Sequence, residues 1–244
     1  MKPLSRRTFL KTSAAVSAST LPLFAVARAG ESANNKINVA VVGAGGMGGY
    51  AYRRARDMEN LVALCDVDFA RAGRALGNHP ELPHFKDFRV MLDKMGDQID
   101  AVAISTPDHT HFPIAMAAIE RGKHVFVQKP LAHNIWQCRM LQKAAAAAGV
   151  VTQMGNQGHC MEGMRRIKEW YDADILGEVK EVVTWTDRPI GPWFVPPVSF
   201  PPPAREIPDT LDWDLWQGPV TTEREFSRAY VPTRWRGWWD YGSG

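Results

Sequence analysis

Cysteine is scarce in this chain. Cys65, Cys138 and Cys160 are the only three in 244 residues. They are odd in number and widely spaced, which excludes a disulfide framework and offers no thiolate metal pattern. No metal site is expected. A surplus of one charge is also missing once the first residues are set aside. The formal net charge is +3, but Lys2, Arg6, Arg7, Lys11 and Arg28 fall within residues 1–29, which contain no acid. Beyond them, 24 basic residues face 26 acidic ones, a net of −2, so no electrostatic case for nucleic acid exists. Long apolar runs are absent too. The stretch from Ala14 to Val26 is interrupted by Ser17, Ser19, Thr20 and Pro22, too short and too polar to span a bilayer. No internal repeat is present, and the only biased tract is the cluster Pro197–Pro203.

What is present begins with an address. Ser5-Arg6-Arg7-Thr8-Phe9-Leu10-Lys11 resembles a twin-arginine signal. A moderately apolar stretch follows, and Ala27-Arg28-Ala29 fits an A-x-A cleavage site. Residues 1–29 therefore read as a signal peptide for export to the periplasm or another extracytoplasmic space. No cysteine lies near the cleavage site, so no stable membrane anchor is expected.

From residue 35 to about 160, strands and helices alternate. Ile37–Val42 and Leu61–Cys65 are apolar runs of strand length, and Ile99–Ile104, Val125–Val127 and Val150–Met154 read as three further strands. Helices are expected over Gly46–Met58, after the cap Asp87, over His111–Arg121, and over Asn134–Ala148 ended by Gly149. That alternation predicts an α/β fold with a doubly wound parallel Rossmann sheet. The character changes after residue 160. One more helix is expected over Gly163–Asp172, and weak alternation over Val179–Thr186 suggests a strand of a different sheet. Ten of the 17 prolines and eight of the nine tryptophans lie beyond Asp172 or just before it, from Trp170 to Trp239. Residues 177–244 therefore read as the start of an α+β second domain for substrate binding or oligomerisation, wrapped in a long aromatic loop. Its tryptophans are expected mainly as anchors of that loop, since proline-rich backbone has few hydrogen bonds of its own.

The strongest single motif is Gly43-Ala44-Gly45-Gly46-Met47-Gly48. A lone G-x-G-x-x-G is weak, but this one follows a strand and opens a helix, which is the context that gives it meaning. Gly43 permits the turn, Gly45 lets backbone approach a pyrophosphate, and Gly48 permits close helix–strand packing. Gly46 and Met47 contribute the helix N-terminus that receives phosphate. Asp66 ends the second strand 18 residues after Gly48. A carboxylate there can accept hydrogen bonds from ribose hydroxyls, favouring NAD. Arg71 and Arg74 follow closely, so NADP stays open.

Three further loops, each after a strand, make the chain resemble the glucose–fructose oxidoreductase, inositol dehydrogenase and rhizopine-catabolism (Gfo/Idh/MocA) family. Ser105-Thr106-Pro107-Asp108-His109-Thr110-His111 resembles its T-P-N-x-x-H loop, with Asp108 at the Asn position. Gln128-Lys129-Pro130-Leu131 resembles its E-K-P, with Gln128 at the Glu position. Gly155-Asn156-Gln157-Gly158-His159 is the third. Leu211-Asp212-Trp213-Asp214-Leu215-Trp216-Gln217-Gly218-Pro219 is similar to exported relatives.

The resemblance implies Lys129 as the catalytic residue, beside the nicotinamide. Thr106, Pro107, Asp108, His111 and Gln128 then join Lys129 and the glycine turn in binding the cofactor, although His111 is as readily a packing residue. Asn156, Gln157, Arg188 and Trp193 are the candidate substrate contacts. The implied activity is NAD(P)-dependent oxidation or reduction of a sugar, polyol or related carbohydrate. Export argues that the cofactor stays bound and is regenerated in place. Two alternatives accompany this reading: an NAD-dependent glycoside hydrolase using transient oxidation, and a non-catalytic cofactor or sugar binder. The family's second-domain Asp and His have no match before Gly244, so the resemblance implies a C-terminally truncated chain, inactive alone and homo-oligomeric when complete.

Overall fold

Strand β1 (Asn38–Val42) is a nearly pure apolar run because both of its faces are covered. Val39 and Val41 pack to one side with Ala51, Tyr52, Ala55 and Leu76. Ala40 and Val42 pack to the other with Met91, Leu92, Ile104 and Ile114. The computed structural model describes residues 36–185 and 199–243. Helix α1 (Gly48–Met58) starts two residues later than expected, because Gly46 has φ +56°, outside the right-handed helical region. It buries Gly48, Ala51, Tyr52 and Ala55, the helical i, i+3, i+4, i+7 pattern. Strand β2 (Asn60–Cys65) leads to α2 (Phe69–Asn78), whose cap Asp68 accepts hydrogen bonds from the N–H groups of Ala70 and Arg71. Strand β3 (His84–Phe85) is only two residues long and escapes any periodicity. Asp87 then caps α3 (Phe88–Met95), as expected.

Strand β4 (Ala101–Ile104) precedes α4 (Asp108–Glu120), which starts three residues earlier than expected and accommodates Pro113 within it. Strand β5 (His124–Gln128) and α5 (Ile135–Ala148) follow. Asn134 caps α5, and Gly149 ends it with φ +67°. Strand β6 (Thr152–Gly155) closes one edge. All pairings are parallel, in the order β3-β2-β1-β4-β5-β6. The winding reverses between β1 and β4, so their carboxyl ends open the crevice where ligands of such sheets bind.

Helix α6 (Glu162–Asp172) forms where expected, but every residue from Gly158 to Trp185 is exposed. The anticipated strand is absent over the described residues 179–185. Alternation alone cannot make a strand, since its N–H and C=O groups need a neighbouring strand to pair with. Thr186 lies outside the described residues.

The last segment, residues 202–243, forms a strap across the carboxyl ends of the strands. Its short helix α7 (Trp213–Gln217) sits in a cluster of Leu211, Trp213, Trp216, Phe226, Tyr230, Trp235 and Tyr241. Trp213 and Trp216 stack with centroids 4.7 Å apart. These rings do the anchoring expected of them, though Trp239 and Trp185 remain exposed.

His109, in the first turn of α4, is buried at the seam. Its Nε2 lies 2.9 Å from Trp216 O and its Nδ1 3.2 Å from Tyr241 O. Tyr241 O already accepts the His109 backbone N–H, so the ring proton of a neutral imidazole belongs on Nε2, donated to Trp216 O. Burial lowers the His109 pKa to about 4, against the opposing pull of the two carbonyls.

Folding thus requires a neutral ring, whereas the unfolded chain takes up a proton below about 6.5. Stability is full above pH 6.5 and declines as the pH falls toward 4, by about 1.4 kcal/mol per unit from this residue. His109→Phe keeps a ring against Trp216 and Tyr241 but cannot titrate. Urea unfolding midpoints between pH 7 and pH 4.5 should fall less steeply for the variant than for the wild type. Equal slopes would remove His109 as the cause.

Candidate functional site: a dinucleotide crevice

The glycine turn is shaped by contacts that leave no room for side chains. Gly43 has φ +82°, and a Cβ there would lie 2.8 Å from the Ser105 carbonyl. A Cβ on Gly45 would lie 2.9 Å from Arg71 O. On Gly48 it would lie 1.7 Å from Gly43 O. The chain thus bends between β1 and α1 with helix and strand in direct backbone contact, and the first turn of α1 opens on the crevice.

Asp66 stands at the end of β2, against this turn. Its Oδ2 accepts the N–H groups of Ala44 (2.9 Å) and Gly45 (3.1 Å), and its Oδ1 accepts the N–H of Asp68 (3.0 Å). Burial pushes its pKa upward, and the three N–H groups work against that rise. The carboxylate is therefore a desolvated acceptor tied to the turn.

These residues border a cavity of about 1210 Å³. Ordinary small-molecule sites span roughly 300–1,000 Å³, so this one suits an extended ligand with a second molecule beside it. Gly43, Gly45, Gly46, Met47 and Asp66 line one end, and Gln128, Lys129 and Gln157 also reach it. Thr106, Pro107 and Asp108 form the wall between, at the start of α4. Gly48 lies behind the lining, where its lack of a side chain brings α1 up to the turn.

Other expected residues play different parts. His111 is fully buried, with Nδ1 2.7 Å from Pro130 O and Nε2 2.9 Å from Thr106 O. It ties the β4 loop to the Lys129–Pro130 turn from behind and is not among the lining residues, so its role is support. Burial lowers its pKa. Gln128 folds over Gly155, where a Cβ would meet its Oε1 at 2.8 Å, and that oxygen accepts the N–H of Lys129. Asp108 accepts both the N–H (3.2 Å) and the hydroxyl (2.5 Å) of Ser243. Asn156 is exposed and lies outside the lining. Arg188 and Trp193 lie outside the described residues.

Sequence reasoning missed two sets of residues. Ser105 Oγ, among the described residues, is a buried side-chain polar atom without a hydrogen-bond partner. Ser105 lines the cavity beside Gly43. An orphaned hydroxyl there fits a ligand rich in phosphate and ribose oxygens, as do the cradle of missing side chains and the Asp66 acceptor. Leu211, Leu215, Trp216 and Gly218 of the strap also line the cavity. The signal for them was the Leu211–Pro219 motif itself, whose place in space no periodicity reveals. Among the described residues, no cluster of His, Cys, Asp or Glu could hold a metal.

Parallel sheet, glycine turn and acidic strand end together define an NAD-binding Rossmann domain. Residues 37–156 match the family described as "Oxidoreductase family, NAD-binding Rossmann fold", GFO_IDH_MocA, and residues 3–22 match the twin-arginine translocation signal sequence. The chain belongs to the Gfo/Idh/MocA oxidoreductase family and carries a twin-arginine signal.

Inositol 2-dehydrogenase 3 of Saccharopolyspora erythraea is 32% identical over 147 residues, which cover 58% of this chain and 42% of that protein. A glycosyl hydrolase family 109 protein of Solibacter usitatus is 32% identical over 142 residues, 53% of this chain and 30% of that protein. Among solved structures, scyllo-inositol dehydrogenase from Lactobacillus casei with bound NAD(H) and scyllo-inositol superposes with a TM-score of 0.54 at 26% identity. That match covers 59% of this chain and 43% of the other. The chain spans about a quarter to a half of the length of the curated relatives it matches.

Gly48→Ala should cost about 3 kcal/mol, since its methyl group collides with backbone that cannot rotate away. A fall in Tm of roughly 6–12 °C follows for a domain of this size. Ser105→Ala should leave Tm unchanged or slightly raised, because it removes an unpaired buried hydroxyl worth about 1 kcal/mol. Thermal unfolding without added ligand reads both, and a clear drop in Tm for Ser105→Ala would show that its hydroxyl has a protein partner after all.

Proposed function

We propose that this chain is the cofactor-binding part of an exported NAD(P)-dependent oxidoreductase that acts on a sugar, polyol or related carbohydrate in the periplasm, with its dinucleotide held tightly. The observation that carries this reading is the shared cavity. Lys129, at the carboxyl end of β5, opens onto the same space as the glycine turn and Asp66. NAD is the cofactor favoured by the family and by the Asp66 carboxylate at the ribose position.

The dinucleotide, when bound, supplies a hydride acceptor or donor at its nicotinamide ring. The chain's own residues bind and orient it. The α1 N-terminus, with Gly46 and Met47, receives the pyrophosphate. Asp66 exchanges its contacts with the turn for ribose hydroxyls. Thr106, Pro107 and Asp108 line the middle of the groove. Lys129 presents an ammonium to the substrate oxygen, where it stabilises developing negative charge or passes a proton. Gln128 lacks the charge of the family's Glu, so it serves as a hydrogen-bonding residue only. Gln157 flanks the substrate end, and Asn156, Arg188 and Trp193 complete the candidate set.

The alternative of a redox-neutral glycosidase has one specific support. The glycosyl hydrolase family 109 relative is as similar in sequence as the inositol dehydrogenase relative. Both chemistries start from oxidation of a sugar carbon at the same site, so product analysis separates them. Assembly into a homo-oligomer is supported by exposed apolar side chains on and after α6, such as Met164, Ile167 and Leu176.

In the full-length protein, Lys129→Ala should lower kcat/KM by about 10²–10⁴-fold while NADH binding stays near the wild-type value. The assay follows nicotinamide absorbance with a panel of polyols and aldoses. Turnover close to wild type in the variant would remove Lys129 from the chemistry. Sugar released from an aryl glycoside with no net NADH would replace the dehydrogenase reading with the hydrolase.

A further inference from the structure

We propose that the strap, residues 202–243, is a clasp that retains the dinucleotide, so that cofactor leaves only when the strap lifts. This rests on the cofactor reading above and adds the element that governs exchange.

The strap is fastened at both ends of the crevice. At the β2 end, Thr210 O accepts the N–H of Phe69 (3.1 Å), and the N–H of Asp212 donates to Val67 O (2.8 Å). Leu211 bridges to Asp68 between them. These contacts stand beside Asp66, the ribose acceptor. Past the β5 end, His133 Nε2 lies 3.0 Å from Gly242 O. At the start of α4, Asp108 accepts the N–H and the hydroxyl of Ser243. Between the two ends, His109 pins the strap through Trp216 and Tyr241.

The strap is also a wall of the cavity and more than a cross-brace. Leu211, Leu215 and Gly218 line the same space as Val67, Pro107 and Ile114. Gly218 has φ +56°, and a Cβ there would lie 3.0 Å from the Thr110 methyl, so the strap runs close to α4 at this point. A ligand lying between Asp66 and Lys129 is therefore enclosed by the sheet edge below and the strap on the outer side. The strap's interior is a cluster of buried rings, including Trp213, Tyr230 and Tyr241, so it moves as a unit and not residue by residue.

The test uses the purified full-length protein loaded with NADH and chased with excess NAD, following nicotinamide fluorescence. His133→Ala removes a latch outside the cavity lining, and Leu215→Ala thins the wall itself. Release should be about fivefold faster in the first, the effect of one lost hydrogen bond, and about tenfold faster in the second. Thermal unfolding confirms that each variant is folded, and Leu215→Ala carries the test should His133→Ala fail to fold. Equal release rates in wild type and variants overturn the clasp, as does a wild type that exchanges its NADH within the mixing time. A wild type that binds no NADH at all overturns the cofactor reading instead.

Discussion

Gly48 packs so tightly against the carbonyl of Gly43 that even a methyl group there would lie 1.7 Å from oxygen. Everything at the site depends on it. It brings α1 down onto the turn, so that the helix starts at the carboxyl edge of the sheet with Gly46 and Met47, just before it, lining the crevice. It also sets the turn at a height where Asp66 can reach Ala44 and Gly45 from the end of the neighbouring strand. The parallel register of β1 with β2 and β4 holds that neighbourhood fixed. Core packing on both faces of the sheet then makes the register costly to change, because a one-residue slip would exchange Val39 and Val41 with Ala40 and Val42.

The two histidines of the β4 loop share one physical logic. Each is buried, and each places both ring nitrogens near backbone carbonyls. His111 joins the loop inward, to the turn that presents Lys129. His109 joins it outward, to the strap. Their proximity in sequence, two residues apart on the first turn of α4, lets one short loop connect three parts of the site. Neither ring faces the substrate space, so their contribution is alignment.

Much of this was legible in the sequence. Strands β1, β2, β4 and β5 declare themselves because burial on two faces leaves largely apolar runs, whereas the edge strand β6 is more exposed and begins two residues later than expected, and the glycine turn is recognisable because each glycine has a distinct steric task. Strand β3 was not legible, since two residues carry no period. The strand expected over 179–186 was misread from alternation, which records the facing of side chains and says nothing about a partner. The site shows the same division. Gly43, Gly45, Asp66 and Lys129 line the cavity as their motifs require. Asp108 could be placed by its motif, but its bond to Ser243 joins positions 135 residues apart and has no local signature. The same holds for Leu211 and Leu215: the motif was visible, and its position over the crevice was not.

That long separation bears on how the protein acquires its final form. The sheet can assemble from contacts between successive strands and helices, whereas the strap must return across the whole domain to meet residues near Asp68 and Asp108. Closing such a span costs chain entropy that the contacts at the completed sheet edge offset, and contacts of such sequence separation are slow to form, so late docking of the strap is the expected order. During that interval the groove is built but still open on its outer side. On the clasp proposed above, a twin-arginine signal, which is read on folded cargo, places strap closure before export.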